Sequence, residues 1–107
     1  MSTPTPSGLA HLVFFTLRDR SPAAREALVA SCYKHLTDHP GVRHFSAGPR
    51  DEGYVRPVND QEFDVALVLV FDDAAAHDAY QVHPRHKAFI AEQSANWAKV
   101  RVFDALV

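Results

Sequence analysis

Apolar and polar positions alternate along this chain in blocks that predict its elements in order. Leu9 to Leu17 (LAHLVFFTL) is a short apolar run rich in β-forming residues and predicts a first strand. Arg18-Asp19-Arg20 returns the chain to solvent. Ser21-Pro22 then supplies an N-cap and a proline at the first helical position, a strong helix start. Ala24, Leu28, Cys32 and Leu36 recur every four residues and, with Ala27 and Ser31, make one stripe of that helix. His39-Pro40-Gly41 stops it. Val42 to Gly48 reads as a second strand. Gly48 to Glu62 is polar and long for a hairpin connection, with two Gly and two Pro among many charges. Phe63 to Phe71 (FDVALVLVF) is the clearest strand. Asp72-Asp73 caps a helix to about Tyr80, His83-Pro84 breaks it and starts another turn or two to about Gln93, and Val100 to Leu106 forms the last strand. The predicted order is β-α-β-β-α-β: a ferredoxin-like α+β fold with a four-stranded antiparallel sheet.

The strands are apolar on both faces. Phe63, Val65, Leu67, Leu69 and Phe71 are predicted to point one way, and Asp64, Ala66, Val68 and Val70 the other; only Asp64 is polar. Strand one repeats this, with His11, Val13, Phe15 and Leu17 on one side and Leu12, Phe14 and Thr16 on the other. An antiparallel sheet with one wet face alternates apolar and polar residues instead. Helices cover one face only. At about 25 cal/mol per Å2, several hundred Å2 of apolar sheet left in water forfeits roughly 10 kcal/mol, as much as a whole domain's stability. A second copy, packed sheet to sheet about a two-fold axis, is the predicted partner. The competing arrangement covers that face with the long loop or the tails.

Composition narrows the setting. A chain of 107 residues with 47% hydrophobic residues builds one domain with one core, residues 9–107, behind a polar lead-in, Met1 to Gly8, expected to be disordered. The net charge of -2 offers no basic surplus for nucleic acid. The lead-in lacks the basic start and apolar core of a signal peptide, and no run approaches the length of a membrane span. A lone cysteine, Cys32, excludes an internal disulfide, fits a reducing cytoplasm and, on the buried stripe, is expected to be inert. Seven histidines are the oddity.

The residues carry a resemblance. HLVFFTL near the start, FDVALVLVFDDAAAHDAYQVHPRHKAF in the middle and VRVFDAL at the end resemble the stress-responsive A/B barrel (Dabb) family over Leu9 to Val107, with the Tyr80-x-x-His83-Pro84-x-His86 segment fairly specific in that position and Asp104 as the family's aspartate. The resemblance implies a dimeric α+β barrel, often of unknown function, stress-induced plant proteins among its members. It also includes a plant polyketide cyclase that closes a ring by aldol condensation, whose pocket holds the counterparts of His11, Tyr80 and His86. A further pocket histidine of that cyclase falls at Val65, and the Gly48–Glu62 loop also departs from the family pattern.

The candidate catalytic residues are therefore His11, Tyr80 and His86. A partly buried imidazole takes up or releases a proton near pH 7, and a phenol beside it can donate to a developing enolate. Each has a plain alternative: His11 bonded to a carbonyl, His86 bonded to the sheet, Tyr80 sealing the barrel rim. His83, Phe89 and Trp97 are the candidate ligand-binding residues, against a helix cap for His83 and core packing for Phe89, Ile90 and Trp97. His83 and His86, three apart, and His35 and His39, four apart, have metal-ligand spacing, but no further ligand completes either pair, and neither a metal nor an organic cofactor is expected. The function expected is that of a homodimer binding a small hydrophobic, oxygenated molecule, with cofactor-free, polyketide cyclase-like acid/base chemistry. The alternatives are a non-enzymatic stress protein acting by assembly or sequestration, and a cofactor-free monooxygenase on the same barrel. A cavity of several hundred Å3 reaching His11 and His86 favours a ligand; one filled by Phe and Leu side chains favours assembly.

Overall fold

A computed structural model describes residues 2–107, so Met1 of the lead-in lies outside it. The elements are β1 (Leu9–Leu17), α1 (Pro22–His35), β2 (Val42–Pro49), β3 (Val65–Phe71), α2 (Ala74–Gln81), α3 (Pro84–Gln93) and, after a single 3-10 turn at Ser94–Asn96, β4 (Trp97–Leu106). The strands form one antiparallel sheet in the order β2-β3-β1-β4. This is the ferredoxin-like arrangement read from the sequence.

The caps act where the sequence puts them. The Ser21 hydroxyl accepts the Ala24 N–H, and the Asp73 carboxylate accepts the Ala76 N–H. His83 caps α3, its Nδ1 accepting the Arg85 N–H at 3.0 Å. α1 ends earlier than the His39-Pro40-Gly41 stop, with Leu36 as its C-cap. The turn beyond it holds Gly41 at φ 79°, where a Cβ would lie 2.5 Å from the Cβ of Ala76, so only glycine lets α2 pack this close.

The core lies between the helices and one face of the sheet. Val13, Phe15 and Leu17 of β1 and Val65, Leu67, Leu69 and Phe71 of β3 are buried against Leu28 and Cys32 of α1, Tyr80 of α2 and Phe89 of α3. Ala27, predicted on the buried stripe, is exposed; the stripe is narrower and runs through Leu28, Ser31, Cys32 and Leu36.

The opposite face has no helix. Leu12, Phe14, Val68 and Val70 are half-buried there, and Phe103, opposite Leu12 in the register, is 51% exposed. The slab is 18 Å through its thinnest dimension, the depth of two layers and no more. The long loop covers one corner: Phe63 packs edge-to-face on Phe14 with ring centres 5.0 Å apart, and Asp60 pairs with Arg101 at 2.5 Å. Tyr54, Val55 and Val58 of the same loop are exposed.

That corner corrects the assignment of faces at the start of β3. The ladder begins at Val65, so Phe63 and Asp64 lie outside its alternation. Phe63 joins the open face beside Phe14. Asp64 is fully buried on the helix side, accepting hydrogen bonds from the Leu17 N–H at 2.8 Å and from Arg20 and Arg25 at 3.0 Å. Burial pushes its pKa up, but the Leu17 N–H and the two guanidiniums outweigh that and bring it below the ordinary carboxylate value.

Candidate functional site

The β1–β4 register sets His11 opposite Asp104, on the face that the helices cover. His11 is only 4% exposed, and its Nδ1–H donates to Asp104 Oδ1 at 2.5 Å. A carboxylate can only accept, so the proton sits on Nδ1 and Nε2 carries a lone pair. Gln81, at the end of α2, turns its amide nitrogen to that lone pair at 3.5 Å and to His77 Nε2 at 3.2 Å. Neither His77 nor Gln81 was singled out from the sequence. The available signal was the spacing of His77, three residues before Tyr80 and four before Gln81, which sets it on one helix face with each of them.

Tyr80 is buried among four rings: Phe71, His11, His39 and His86, with centroids between 4.8 and 6.1 Å away. Burial and the Cys32 thiol nearby push its pKa well above the ordinary phenol value, so it stays an O–H donor. Cys32 itself is pushed up to about 12 by burial and is inert as a nucleophile at neutral pH.

A cavity of about 150 Å3 brings the three candidate catalytic residues together. His11, Tyr80, Gln81 and His86 line it, with Phe89 and Trp97 among its apolar walls. Val100 and Val102 of β4, which are 40% and 49% exposed, also line it. The Tyr80 hydroxyl, His86 Nδ1 and Trp97 Nε1 are buried without a hydrogen-bond partner among the described residues, and all three residues line this cavity. Buried polar atoms of that kind are ordinarily paired, so three in the residues around one cavity set it apart from the rest of the core. The volume is below the several hundred Å3 of a drug-sized pocket and suits a single aromatic ring.

His83 is not part of this site. It faces a separate, largely apolar cavity of about 220 Å3 with His39, Ala76, Ala79 and the far side of Tyr80. The histidine pair on α1 is also taken up elsewhere: His35 Nε2 meets Glu92 at 2.8 Å, and His39 Nε2 donates to the His35 carbonyl at 2.9 Å. A third cavity, about 590 Å3, opens between α1 and the end of β2, beside Arg25, Glu26, Val29, Pro49 and Glu52. It is larger, but none of the sequence-predicted site residues reaches it, and Arg25 already pairs with Glu52 at 2.6 Å.

The site histidines are held neutral. Burial lowers the pKa of His11, against the pull of Asp104. Burial lowers that of His86 too, reinforced by His11, His39 and His77, and burial lowers that of His39. A histidine with a lowered folded-state pKa stabilises the fold fully above its unfolded value of about 6.5, and this stability is lost as pH falls from there toward the folded value. The melting temperature is therefore expected to fall between about pH 7.5 and about pH 5.5, and His86→Gln is expected to flatten the fall. A melting temperature that stays level or rises over that window contradicts neutral burial of these rings.

The comparisons with known proteins bear on the family and the fold. The family model described as Stress Responsive A/B Barrel Domain matches residues 9–107. No curated protein matches the chain. Among solved structures, a Dabb family protein with a ferredoxin-like fold from Mesorhizobium loti is 25% identical, covering 94% of this chain and 96% of that one, with a TM-score of 0.76. A dimeric ferredoxin-like protein of unknown function from Thermobifida fusca is 24% identical over 94% and 91% of the two chains, with a TM-score of 0.78. A hydroxynitrile lyase from Passiflora edulis is 20% identical over 96% and 95%, with a TM-score of 0.74. Among the described residues, no helix is long and apolar enough to cross a membrane.

Proposed function

The chain belongs to the stress responsive A/B barrel domain family, and on that premise we propose that it works in the cytoplasm as a homodimer that binds a small, oxygenated, ring-sized molecule beside His11, Tyr80 and His86 and moves protons on it. What supports this is one cavity lined by all three residues, with His11 backed by Asp104. The Asp104 carboxylate holds the His11 ring and stabilises the imidazolium formed when Nε2 takes a proton. Tyr80 supplies a phenol O–H to an oxygen on which charge develops, the His11 imidazolium gives its proton back to the product, and His86 offers a neutral imidazole that holds the ligand by a hydrogen bond. Phe89 and Trp97 wall the ligand's apolar side. Proton transfer next to a carbonyl, as in aldol chemistry, is the reaction class these groups fit.

The homodimer reading rests on the open sheet face and on β4, which leaves Val100 and Val102 exposed on one side and Phe103 on the other. The Thermobifida fusca relative is described as dimeric.

The test is a binding panel of single-ring phenols, aryl ketones and β-keto acids, followed by isothermal titration with the wild type, His86→Ala and His11→Ala. The expectation is micromolar binding of at least one oxygenated ring compound, weakened roughly tenfold in His86→Ala through loss of one hydrogen bond. Any proton-transfer turnover is expected to vanish in His11→Ala. No binding, or equal binding by wild type and His86→Ala, defeats the reading and leaves assembly as the protein's output.

A further inference from the structure

His11, His77 and Asp104 each bring one ligating atom to within 4.8 Å of the others. Two observations make this more than a coincidence of polar groups. First, the His11 and His77 Nε2 atoms converge on one point, now filled by the Gln81 amide nitrogen at 3.5 and 3.2 Å. His11 donates from Nδ1 to Asp104, and His77 Nδ1 lies 3.4 Å from Asp78, so in both rings Nε2 is the nitrogen with the free lone pair. Second, the cluster sits at the rim of the molecule: His11 is buried, His77 half-buried and Asp104 exposed, so an ion has a path in.

We propose that this cluster binds one divalent transition-metal ion of the zinc class. His11 and His77 bind it through Nε2, and Gln81 turns its amide to offer Oε1. Asp104, on the far nitrogen of His11, acts as the outer carboxylate that fixes the ring and raises its basicity. Two imidazoles and an amide oxygen suit Zn2+, Co2+ or Ni2+ rather than Ca2+ or Mg2+, which prefer all-oxygen sites. Tetrahedral bonds of about 2.0–2.1 Å set ligand atoms about 3.3 Å apart, and the Gln81 amide already stands 3.5 and 3.2 Å from the two imidazole nitrogens. The site shares His11 with the cavity but does not depend on that cavity having a ligand. A bound ion takes the His11 lone pair, so metal and proton transfer at that nitrogen exclude each other.

The experiment is a titration of the metal-free dimer with Co2+, read by visible absorption, and with Zn2+, read by calorimetry. The expectation is one ion per chain with the intense absorption of tetrahedral Co2+. His77→Ala is expected to abolish binding. Asp104→Asn is expected to weaken it by about 10–100-fold, the usual cost of losing an outer-shell partner. His77 does not line the cavity, so His77→Ala is expected to bind ring compounds as the wild type does. No stoichiometric Co2+ spectrum, or a His77→Ala variant that binds Co2+ as tightly as wild type, overturns the metal site. Neither result bears on the cavity, which the ring-compound panel tests separately.

Discussion

Replacing Asp64 by Ala is expected to cost about 3 kcal/mol of unfolding free energy, the scale of breaking a buried ion pair from one side. The carboxylate is wholly buried and serves three donors: the Leu17 N–H at the end of β1, Arg20 in the following loop and Arg25 on α1. Removing it orphans a buried N–H and unties the β1–α1 junction from the start of β3. Arg20 is partly exposed and Arg25 keeps Glu52, so the guanidiniums recover some hydration and the loss stays at the lower end of the range. Asp64→Asn can still accept from Leu17 and is expected to lose about half as much. The same carboxylate has a lowered folded-state pKa, so its contribution is complete above the unfolded value of about 3.9 and is lost as pH falls through the folded value. Urea unfolding at one fixed chain concentration measures the effect, and an Asp64→Ala change below about 0.5 kcal/mol contradicts it.

The paired substitution Leu12→Asp and Phe103→Asp is expected to abolish the dimer. The two residues are cross-strand partners on the open face, so the change sets two like charges side by side where the partner's sheet is expected. Burying a side chain of this size is worth about 1.5–3 kcal/mol, and the two-fold axis counts each change twice. The dissociation constant is expected to rise by roughly a thousandfold or more, equivalent to about 4 kcal/mol. Neither residue belongs to the helix-side core, so circular dichroism is expected to keep its helix and strand signal. A variant that sediments like the wild type contradicts sheet-to-sheet pairing. Phe103→Leu, which keeps the surface apolar, is expected to stay dimeric.

Local rules made most of the fold legible. Ser21-Pro22, Asp73 and His83-Pro84 start helices where caps and prolines say they must, and the β-formers of β1 and β3 read as strands without ambiguity. Meeting His11, Tyr80 and His86 in one cavity was also within reach, because β1 faces inward at His11 and the family resemblance carried the other two. What escaped depended on contacts distant in sequence. The His11–Asp104 bond joins residues 93 apart and follows from strand register rather than pattern. His77 and Gln81 gain their place from how α2 rolls on the sheet. Phe63 and Asp64 exchange faces because the ladder starts at Val65, and a two-residue period applied from Phe63 cannot anticipate that.

The claim that everything else rests on is that this sheet is built to be covered by its own copy. Sedimentation equilibrium of the wild-type chain at low micromolar concentration tests it most directly. A single species with the mass of two chains is the result expected; a single chain that stays monomeric and folded as concentration rises contradicts it.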